Sequence, residues 1–471
     1  MTTNLPSHFG NSDTVCAVST AHGTGGIAVI RVSGSNAIAI CSKLFCPSRG
    51  LSLAERPSHT LTYGTMVDGN GAIDDVVVSL FRTPHSFTGE DVVEISCHGS
   101  LFIQQEIMQL LIKNGCRTAQ AGEFTQRAFL NGRLDLSQAE AVADLIAATS
   151  AASHRLALSQ MKGGFSRELE LLRNEMLTFT SLIELELDFS EEDVEFADRS
   201  KLKELIAHIE SVLRRLVDSF RVGNAVKNGI PVAIVGETNA GKSTLLNLLL
   251  KDDKAIVSDI HGTTRDVIED IATIGGATFR FIDTAGIRET SDTIESMGIE
   301  RTFRKIEQAA IVLWVVDSTS SDALIEAMSK IILPKTAGKE RVLLFNKSDL
   351  LTEVELKHKL NLLSSSEITT LPISAREQSN IEALEKILID LSGIDALNNS
   401  DIVVTNARHY EALTKAHGAI LRIQEGLHER ISGDFLSQDI REAIHYLGEI
   451  TGTITTDEIL GTIFSKFCVG K

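Results

Sequence analysis

One short segment limits the folds open to this chain more than any other. Residues 236–243 read GETNAGKS, fit the pattern G-x-x-x-x-G-K-[ST], and lie between the strand-like run PVAIV and the helix-like run LLNLLL. Such a loop wraps phosphates with backbone N–H groups, and the helix after it adds partial positive charge. Lys242 would reach the β and γ phosphates, and the Ser243 hydroxyl would bind Mg²⁺. The segment predicts a nucleotide-binding α/β domain.

Three further motifs follow in order, each at the end of an apolar strand-like run. Residues 283–286 (DTAG) suit a Mg²⁺-linked acid and a glycine that senses the γ-phosphate. Residues 346–349 (NKSD) supply a carboxylate that can pair with the guanine N1–H and N2–H₂ groups, which adenine lacks. Residues 374–376 (SAR) can complete the base pocket through backbone N–H groups. We therefore predict a GTPase, and the base-binding motif disfavours an ATPase.

The segment between the first two motifs has no apolar period and contains GTTRD at 262–266. A switch loop needs one hydroxyl that joins the Mg²⁺ shell when the γ-phosphate is present, and Thr264 is our candidate. An ordinary polar loop is the alternative. The predicted GTP contacts are Asn239, Ala240, Gly241, Lys242, Ser243, Thr244, Ser258, Asp259, Ile260, His261, Gly262, Thr263, Thr264, Asp283, Thr284, Ala285, Gly286, Asn346, Lys347, Asp349, Ser374, Ala375 and Arg376.

The residue after DTAG is Ile287, where Ras-type enzymes place the glutamine that orients the attacking water. An apolar side chain cannot orient water. Hydrolysis therefore needs another water-positioning group and another positive charge. The residues alone leave four acids open for the first role: Glu289, Asp292, Glu295 and Glu300.

The rest of the sequence shows two patterns, one rich in strands and one helical. The first 120 or so residues are strand-rich, with β-branched runs at 27–32 and 76–80 and a helical pattern at 101–113. Apolar stripes of period 3.6 begin near Ser137 and return after Leu391. We predict a multidomain protein: an α+β N-terminal domain at 1–122, an all-α helical domain at 123–227 plus 390–471, and an inserted α/β P-loop, Ras-like GTPase domain at 228–389.

Composition restricts the partners and the compartment. The chain has 45 Lys and Arg against 63 Asp and Glu, a formal net charge of −18, which excludes a protein that coats nucleic acid by bulk charge. Contact with RNA would need a local basic site. Six irregularly spaced cysteines argue against a disulfide scaffold and against paired zinc ligands. With no signal-peptide pattern and no apolar run of about 20 residues, we expect a cytoplasmic protein without a membrane span.

Segments outside the nucleotide motifs resemble the tRNA modification GTPase family known as MnmE or TrmE. They are GGIAVIRVSG (25–34), SFTGEDVVEISCHG (86–99), AGEFTQRAFLNGRLDLSQAEAVADLI (121–146) and FCVGK (467–471). The resemblance implies a homodimeric, K⁺-stimulated GTPase, activated when its G domains pair. It also implies an FAD-dependent partner of the MnmG (GidA) type, in a heterotetramer or larger complex. Together they would add a carboxymethylaminomethyl-type group at C5 of the wobble uridine of tRNA.

The resemblance further implies a cofactor and roles for single residues. The one-carbon unit would come from the 5-formyl or methylene form of tetrahydrofolate, bound by the N-terminal domain, which also dimerises. Glu295 matches the water-activating acid, and Cys468 a cysteine linked to the modification reaction. The other matches are Arg31, Glu94, Arg133 and Lys471 for folate, Asn239, Ser258, Ile260 and Thr263 for K⁺, and Ser243 and Thr264 for Mg²⁺.

Several of these residues, and the function itself, also have simpler interpretations. Asn239 could cap its own loop, Cys468 could be an incidental thiol, and Trp314 fits a strand core. His98 has no evident acidic partner in the sequence, which favours a structural role. The competing function is a regulatory or ribosome-assembly GTPase without covalent RNA chemistry, but no basic RNA-binding module is visible after residue 400. A folate-binding scaffold with a vestigial GTPase is disfavoured by the intact nucleotide motifs.

Overall fold

The structure is a computed structural model of the 471-residue chain. It describes residues 13–69, 71–188, 199–250, 270–282, 306–363, 368–393, 402–429, 431, 433–465 and 467–470. The chain divides into two compact units. The first comprises Met1–Ala143, Gln160–Asn174 and Ile444–Lys471, and the second Asp144–Ser159 and Glu175–Ala443. Within the described ranges, no helix combines the length and apolar character needed to cross a membrane. The domain boundaries predicted from sequence stay predictions.

The first unit contains a seven-stranded sheet in the order β3-β4-β5-β6-β2-β1-β7. Neighbouring strands are antiparallel except β1 and β7, which are parallel. The predicted strands at 27–32 and 76–80 lie within β2 and β5. The strands are β1 (Thr14–Val18), β2 (Ile27–Ser33), β3 (Phe45–Pro47), β4 (Thr60–Asp68), β5 (Gly71–Phe81), β6 (Val92–His98) and β7 (Cys116–Thr118).

Side chains alternate between the two faces of this sheet, as the pleat requires. One face packs on helices α1 (Ala37–Leu44) and α2 (Leu101–Lys113) through residues such as Ile30 and Ile107. On the other face, Phe124 of helix α3 (Glu123–Leu130) packs with buried residues of β1. This second face also presents Arg31, because Arg31 alternates with the inward residues of β2.

Long helices account for most of the chain between the two sheets and after the second. Their predicted apolar stripe is confirmed on α6, where Leu169, Leu172, Met176 and Phe179 are all buried. The helices are α4 (Leu136–Ala147), α5 (Ala151–Met161), α6 (Gly164–Asp188), α7 (Arg199–Asn228), α12 (Ala407–Glu429), α13 (Gly433–Thr451) and α14 (Asp457–Phe464).

In the second unit, a helix that precedes the nucleotide motifs packs against one that follows them. Phe220 of α7 stacks on Tyr410 of α12 with ring centroids 4.3 Å apart. The Ser219 hydroxyl accepts a hydrogen bond from the Val404 backbone N–H at 3.0 Å. A Cβ on Gly223 would collide with the Val404 carbonyl oxygen, so the close approach requires glycine there. The chain thus leaves this helical layer at Asn228 and returns to it near residue 402.

The second unit also contains a six-stranded sheet in the order β13-β12-β11-β8-β10-β9. All neighbours are parallel except β9 and β10, which form an antiparallel pair at the edge. The sequence pattern did not predict β9. The elements are β8 (Ile230–Val235), α8 (Lys242–Leu249), β9 (Asp270–Ile274), β10 (Ala277–Phe281), β11 (Ile311–Asp317), α9 (Asp322–Lys335), β12 (Glu340–Asn346), α10 (Glu353–Leu362), β13 (Thr369–Pro372) and α11 (Ile381–Ser392).

Helices cover both faces of this sheet, as its apolar strands predict. Ile234 belongs to a core with residues of α8 and α11, whereas its neighbour Val235 belongs to a core with residues of α9. Trp314, predicted to be a core residue, is buried in the second of these cores. The predicted fold class is confirmed: a mixed α+β part, a helical part and an α/β part that carries the P-loop.

Candidate functional site

The P-loop runs from the end of β8 to the start of α8 and folds as a cradle of backbone. Gly236 has φ 150° and Gly241 has φ 95°, values that disfavour any residue with a Cβ. A Cβ on Gly236 would collide with the Val315 carbonyl oxygen, and one on Gly241 with the Asn346 side chain. The two glycines therefore let the loop lie against the sheet, with backbone N–H groups at the helix N-terminus. This cradle fits a phosphate chain.

The Lys242 side chain folds back over the same loop. Its ammonium donates to the Gly236 carbonyl at 2.8 Å and to the Glu237 carbonyl at 2.5 Å. Ser243 follows in the first turn of α8, and its role as a Mg²⁺ ligand stays a prediction. The loop thus holds the positive charge of Lys242 against its own backbone carbonyls.

Asn346, at the end of β12, joins the phosphate loop to the base side of the site. Its side-chain amide donates to the Ala240 carbonyl at 2.7 Å and accepts from the Ala375 backbone N–H at 2.9 Å. Asn346 is 3% exposed, so both bonds form away from water. The predicted motifs around Ala240, Asn346 and Ala375 are therefore brought together by one side chain.

Lys347 and Asp349 complete the base side. Lys347 has φ 62° and pairs with Asp317 at the end of β11, at 2.5 Å between Nζ and Oδ2. Burial acts to raise the pKa of Asp317, but the Lys347 ammonium and the Thr319 hydroxyl hold it below its usual value. Asp349 lies exposed in a 3₁₀ turn, with a carboxylate that solvent and a base can reach. Arg376 is also exposed.

Asn239 stands at the tip of the P-loop with φ 64°, a left-handed conformation that asparagine tolerates better than most residues. It is exposed, and its side chain makes no hydrogen bond within the described ranges. Capping of its own loop is therefore not seen. Its role as a K⁺ ligand stays a prediction.

Several predicted site residues lie outside the described ranges, so their placement stays a prediction. They are the potassium, magnesium and switch positions Ser258, Asp259, Ile260, His261, Gly262, Thr263 and Thr264, the motif Asp283, Thr284, Ala285 and Gly286, the acid Glu295, and the terminal Lys471.

Two of the predicted folate residues form a pair on the open face of the first sheet. Arg31 of β2 stands directly opposite Glu94 of β6. The Arg31 guanidinium donates from Nε to Oε1 of Glu94 at 2.9 Å, and a terminal guanidinium nitrogen lies 2.8 Å from the same oxygen as an ion pair. The two side chains are 20% and 25% exposed, so the pair is reachable from solvent. Arg133, the third predicted residue, is exposed beside the loop that carries Gly89.

A network of ion pairs near this pair was not predicted from sequence. Arg127 of α3 donates to Glu90 at 3.0 Å, to Glu123 at 2.9 Å and to Asp13 at 2.8 Å. Burial acts to raise the pKa of Glu123, but hydrogen bonds from Arg117, the Gln120 backbone and Arg127 hold it below its usual value. The members lie far apart along the chain. The only sequence signal was the clustering of charged residues within otherwise apolar segments.

Residues 467–470 of the FCVGK motif are anchored beside the first sheet. Val469 forms an antiparallel bridge with Ala121, and the Cys468 carbonyl accepts from the Gly122 N–H at 3.3 Å. The Ser19 hydroxyl donates to the Gly470 carbonyl at 2.9 Å, next to the strand pair in which Val18 faces Ile30. The tail therefore lies by the strand segment that carries Arg31. Cys468 itself is a free, exposed thiol.

His98 has an acidic partner, contrary to the expectation from sequence. Its Nδ1 lies 2.7 Å from Oδ1 of Asp74, and its backbone N–H donates to Oδ2 of the same carboxylate at 2.8 Å. The carboxylate is almost buried, whereas the imidazole is mostly exposed. The partner was missed because residues 74 and 98 come together only through the pairing of β5 with β6.

The chain is similar to known proteins over almost its whole length. A family model described as the MnmE helical domain matches residues 136–468, and one described as the GTP-binding protein TrmE N-terminus matches residues 14–133. The tRNA modification GTPase MnmE of Bacteroides thetaiotaomicron is 61% identical over 465 residues, which cover 98% of this chain and 100% of the relative. The protein of the same name from Parabacteroides distasonis is 59% identical over 461 residues, covering 97% and 100%.

Among solved structures, Aquifex aeolicus Era bound to GDP.AlF4- is similar at 26% identity with a TM-score of 0.26. The match covers 40% of this chain and 66% of that one.

Proposed function

The chain belongs to the MnmE family of tRNA modification GTPases, and we propose that it hydrolyses GTP to drive the modification of tRNA at C5 of the wobble uridine. The product would be a carboxymethylaminomethyl-type group. An FAD-containing partner of the MnmG type and a tetrahydrofolate one-carbon unit would take part. The competing function, a ribosome-assembly or regulatory switch, has no comparable support from the relatives' names.

The nucleotide half of the proposal is supported by the geometry of the P-loop. Lys242 would bind the β and γ phosphates, and Ser243 would bind Mg²⁺ together with Thr264. Asn346 holds the phosphate loop and the base loop in one arrangement, so a bound guanine nucleotide would meet a preformed pocket. The Asp349 carboxylate would accept hydrogen bonds from the guanine N1–H and N2–H₂ groups.

One observation carries the modification half: the terminal segment with Cys468 is anchored beside the strand that carries Arg31. A GTPase switch alone has no need to anchor a cysteine-containing segment on the sheet that carries the Arg31–Glu94 pair. A tetrahydrofolate bound at Arg31, Glu94 and Arg133 would supply the one-carbon unit. Lys471, the next residue after Gly470, would join that site.

Hydrolysis would depend on a monovalent cation and on pairing of two G domains. Asn239, with Ser258, Ile260 and Thr263, would hold K⁺ beside the phosphates, where its charge offsets the charge that develops on hydrolysis. Glu295 would activate the attacking water. A homodimer formed by the N-terminal domains would bring the two G domains within reach of each other.

Reconstitution tests the proposal. The purified chain, its flavoprotein partner, unmodified tRNA, GTP, 5,10-methylenetetrahydrofolate and a nitrogen donor, either glycine or ammonium, are combined in KCl or in NaCl, and tRNA nucleosides are measured by mass spectrometry. We expect a mass increase on the wobble uridine that requires GTP, and faster GTP turnover in KCl. GTP turnover without any GTP-dependent change in tRNA would favour the competing function, a ribosome-assembly or regulatory GTPase. Equal turnover in the two salts would remove the case for Asn239 as a cation ligand.

A further inference from the structure

The tail that follows Phe467 is held in place although it buries little apolar surface. Phe467 itself is 9% exposed and belongs to a core with residues of α4 and α14. Beyond it, Cys468 is exposed, Val469 is 51% exposed and Gly470 has no side chain. Ordering a chain end costs conformational entropy, and most chain ends are poorly ordered unless other groups hold them. Hydrophobic burial therefore does not explain why this tail is held.

A turn before α3 holds one side of the tail. Ala121 forms an antiparallel bridge with Val469, and the Gly122 N–H donates to the Cys468 carbonyl at 3.3 Å. Gly122 has φ 69°, and a Cβ at this position would lie 2.8 Å from the Phe464 carbonyl oxygen. The close approach of the turn to the end of α14 therefore requires glycine.

A buried carboxylate braces this turn from behind. Glu123 accepts from the Gln120 backbone N–H at 2.7 Å, which fixes the turn at residues 120–122. Arg117 and Arg127 donate to Glu123 at 2.7 Å and 2.9 Å, and Glu123 is 2% exposed. Such a carboxylate cannot move without the loss of charge-assisted hydrogen bonds. The position of the turn is therefore set by the fold of the first unit.

Ser19, the residue after β1, holds the other side of the tail. Its hydroxyl donates to the Gly470 carbonyl at 2.9 Å, and its backbone N–H donates to the Val29 carbonyl at 2.8 Å. Gly470 has φ 96°, and a Cβ at this position would lie 2.2 Å from the Val18 carbonyl oxygen. The glycine thus lets the tail lie directly against the chain at the end of β1. The sheet fixes Ser19, and Ser19 in turn fixes Gly470.

The Cys468 thiol lies between these two points of attachment and stays open to solvent. The backbone is held at Cys468 itself by Gly122 and two residues later by Ser19. The thiol is therefore left with little freedom beyond rotation about its own χ1. A reacting group held in this way has already lost most of its conformational freedom, and reaction rates depend steeply on such placement.

We propose that Ser19 and the turn at residues 120–122 form a clamp that positions the Cys468 thiol for the modification of tRNA. This inference rests on the proposed function. Ser19 acts as a positioning residue through the Gly470 carbonyl. Glu123 acts as a second positioning residue, through the turn.

Reconstituted modification of tRNA by the full-length chain and its flavoprotein partner tests the clamp, together with hydrogen–deuterium exchange. In Ser19→Ala the Gly122 N–H should exchange about fivefold faster, because the loss of one hydrogen bond loosens the tail. The kcat for modification should fall about fivefold with an unchanged KM for tRNA. Ser19→Thr keeps the hydroxyl and should restore both values to within about twofold.

Ser48→Ala, at an exposed position of the same unit, is the matched control for Ser19→Ala. It should leave both the exchange of the Gly122 N–H and the kcat for modification as they are in the unchanged chain. GTP turnover and melting temperature should be the same for the unchanged chain and for all three serine variants. A change in either would show that Ser19 acts on the fold as a whole, which would overturn the positioning role.

Gly470→Ala should have a larger effect than Ser19→Ala. The added Cβ would collide with the Val18 carbonyl oxygen and displace the tail from β1. We expect an about hundredfold lower kcat for modification, because a displacement of about 1 Å can cost a reaction that much. Gly132→Ala is the control, because Gly132 has φ 68° with open space around the added Cβ. An equal loss in both glycine variants would overturn the importance of the contact with β1.

The remaining outcomes separate the clamp from the proposed function. Faster exchange at Gly122 in Ser19→Ala with an unchanged kcat would overturn the positioning role, because the clamp would then serve stability alone. A lower kcat without faster exchange would overturn the clamp itself. An equal loss of kcat in Ser19→Ala and Ser19→Thr would also count against the hydroxyl. No modification by the unchanged chain would overturn the proposed function, and this inference with it.

Discussion

The P-loop and the proposed folate site of this chain are built in different ways. The phosphate cradle consists of backbone from a run of eight consecutive residues, 236–243, held by glycines at the end of a parallel strand. The arginine–carboxylate site on the first sheet consists of side chains 63 positions apart, joined through antiparallel pairing of β2 with β6. A site built from the backbone of consecutive residues can be recognised from a local sequence motif. A side-chain site of this type appears only once strand neighbours are known.

The sharpest way to break the backbone site is Gly241→Ala. The added Cβ would collide with the Asn346 side chain, which two hydrogen bonds hold in place, and φ 95° disfavours alanine as well. We expect GTP binding to be abolished, measured by titration with a fluorescent GTP analogue. Gly276→Ala is the control, because it has φ 81° with open space around the added Cβ. A similar loss of GTP binding in Gly241→Ala and Gly276→Ala would show that backbone strain at a positive φ, without the collision with Asn346, accounts for the effect.

Asn346→Ala should have the next largest effect. It removes the amide that connects Ala240 to Ala375 and leaves a buried carbonyl and N–H without partners. Two such losses at about 1–2 kcal/mol each predict roughly 100-fold weaker GTP binding. The exposed Asn247 on α8 offers a control substitution to alanine. Unchanged affinity in Asn346→Ala would mean that the two loops hold their arrangement without this side chain.

Arg31→Lys tests the side-chain site. Lysine keeps the charge but lacks the planar guanidinium that pairs with Glu94 and lies 5.2 and 5.4 Å from the ring centroids of Phe87 and Phe124. We expect about tenfold weaker binding of 5-formyltetrahydrofolate with unchanged GTP turnover, measured on the same protein samples. Arg49→Lys, at an exposed position of the first unit, is the control. Loss of GTP turnover in Arg31→Lys would contradict the separation of the two sites.

The ion pairs beside the side-chain site should make it sensitive to acid. The pKa values of Asp13 and Glu123 are lowered in the folded chain, so their stabilising effect is present above the ordinary carboxyl pKa near 4 and is lost as pH falls through the lowered values. Glu123→Gln should lower the melting temperature by about 3 °C at pH 7, and the difference from the unchanged chain should shrink as the pH falls below about 4. Glu170→Gln, at an exposed position of α6, should show no such difference.

The same difference between local backbone motifs and side chains brought together by strand pairing separates the features that the sequence could predict from those that it could not. The P-loop, the order of the strands after it and the buried Trp314 all follow from local patterns, because a parallel sheet covered on both faces needs continuous apolar strands. The edge strand β9 was missed because it is short and half-exposed, with no distinctive pattern. The His98–Asp74 pair and the Arg127 network were missed because they depend on pairing between distant segments. Arg31 and Glu94 were assigned to folate through family resemblance alone, which stays a prediction, and no local pattern identifies them.

The most direct test of the account is the nucleoside content of tRNA from cells that lack this protein. Wobble-uridine nucleosides are quantified by mass spectrometry in the deletion strain and in strains that express the unchanged chain, Gly241→Ala or Arg31→Lys. The account predicts that the carboxymethylaminomethyl-type nucleoside disappears on deletion, returns with the unchanged chain, stays absent with Gly241→Ala and returns only in part with Arg31→Lys. A nucleoside profile that deletion leaves unchanged would contradict it.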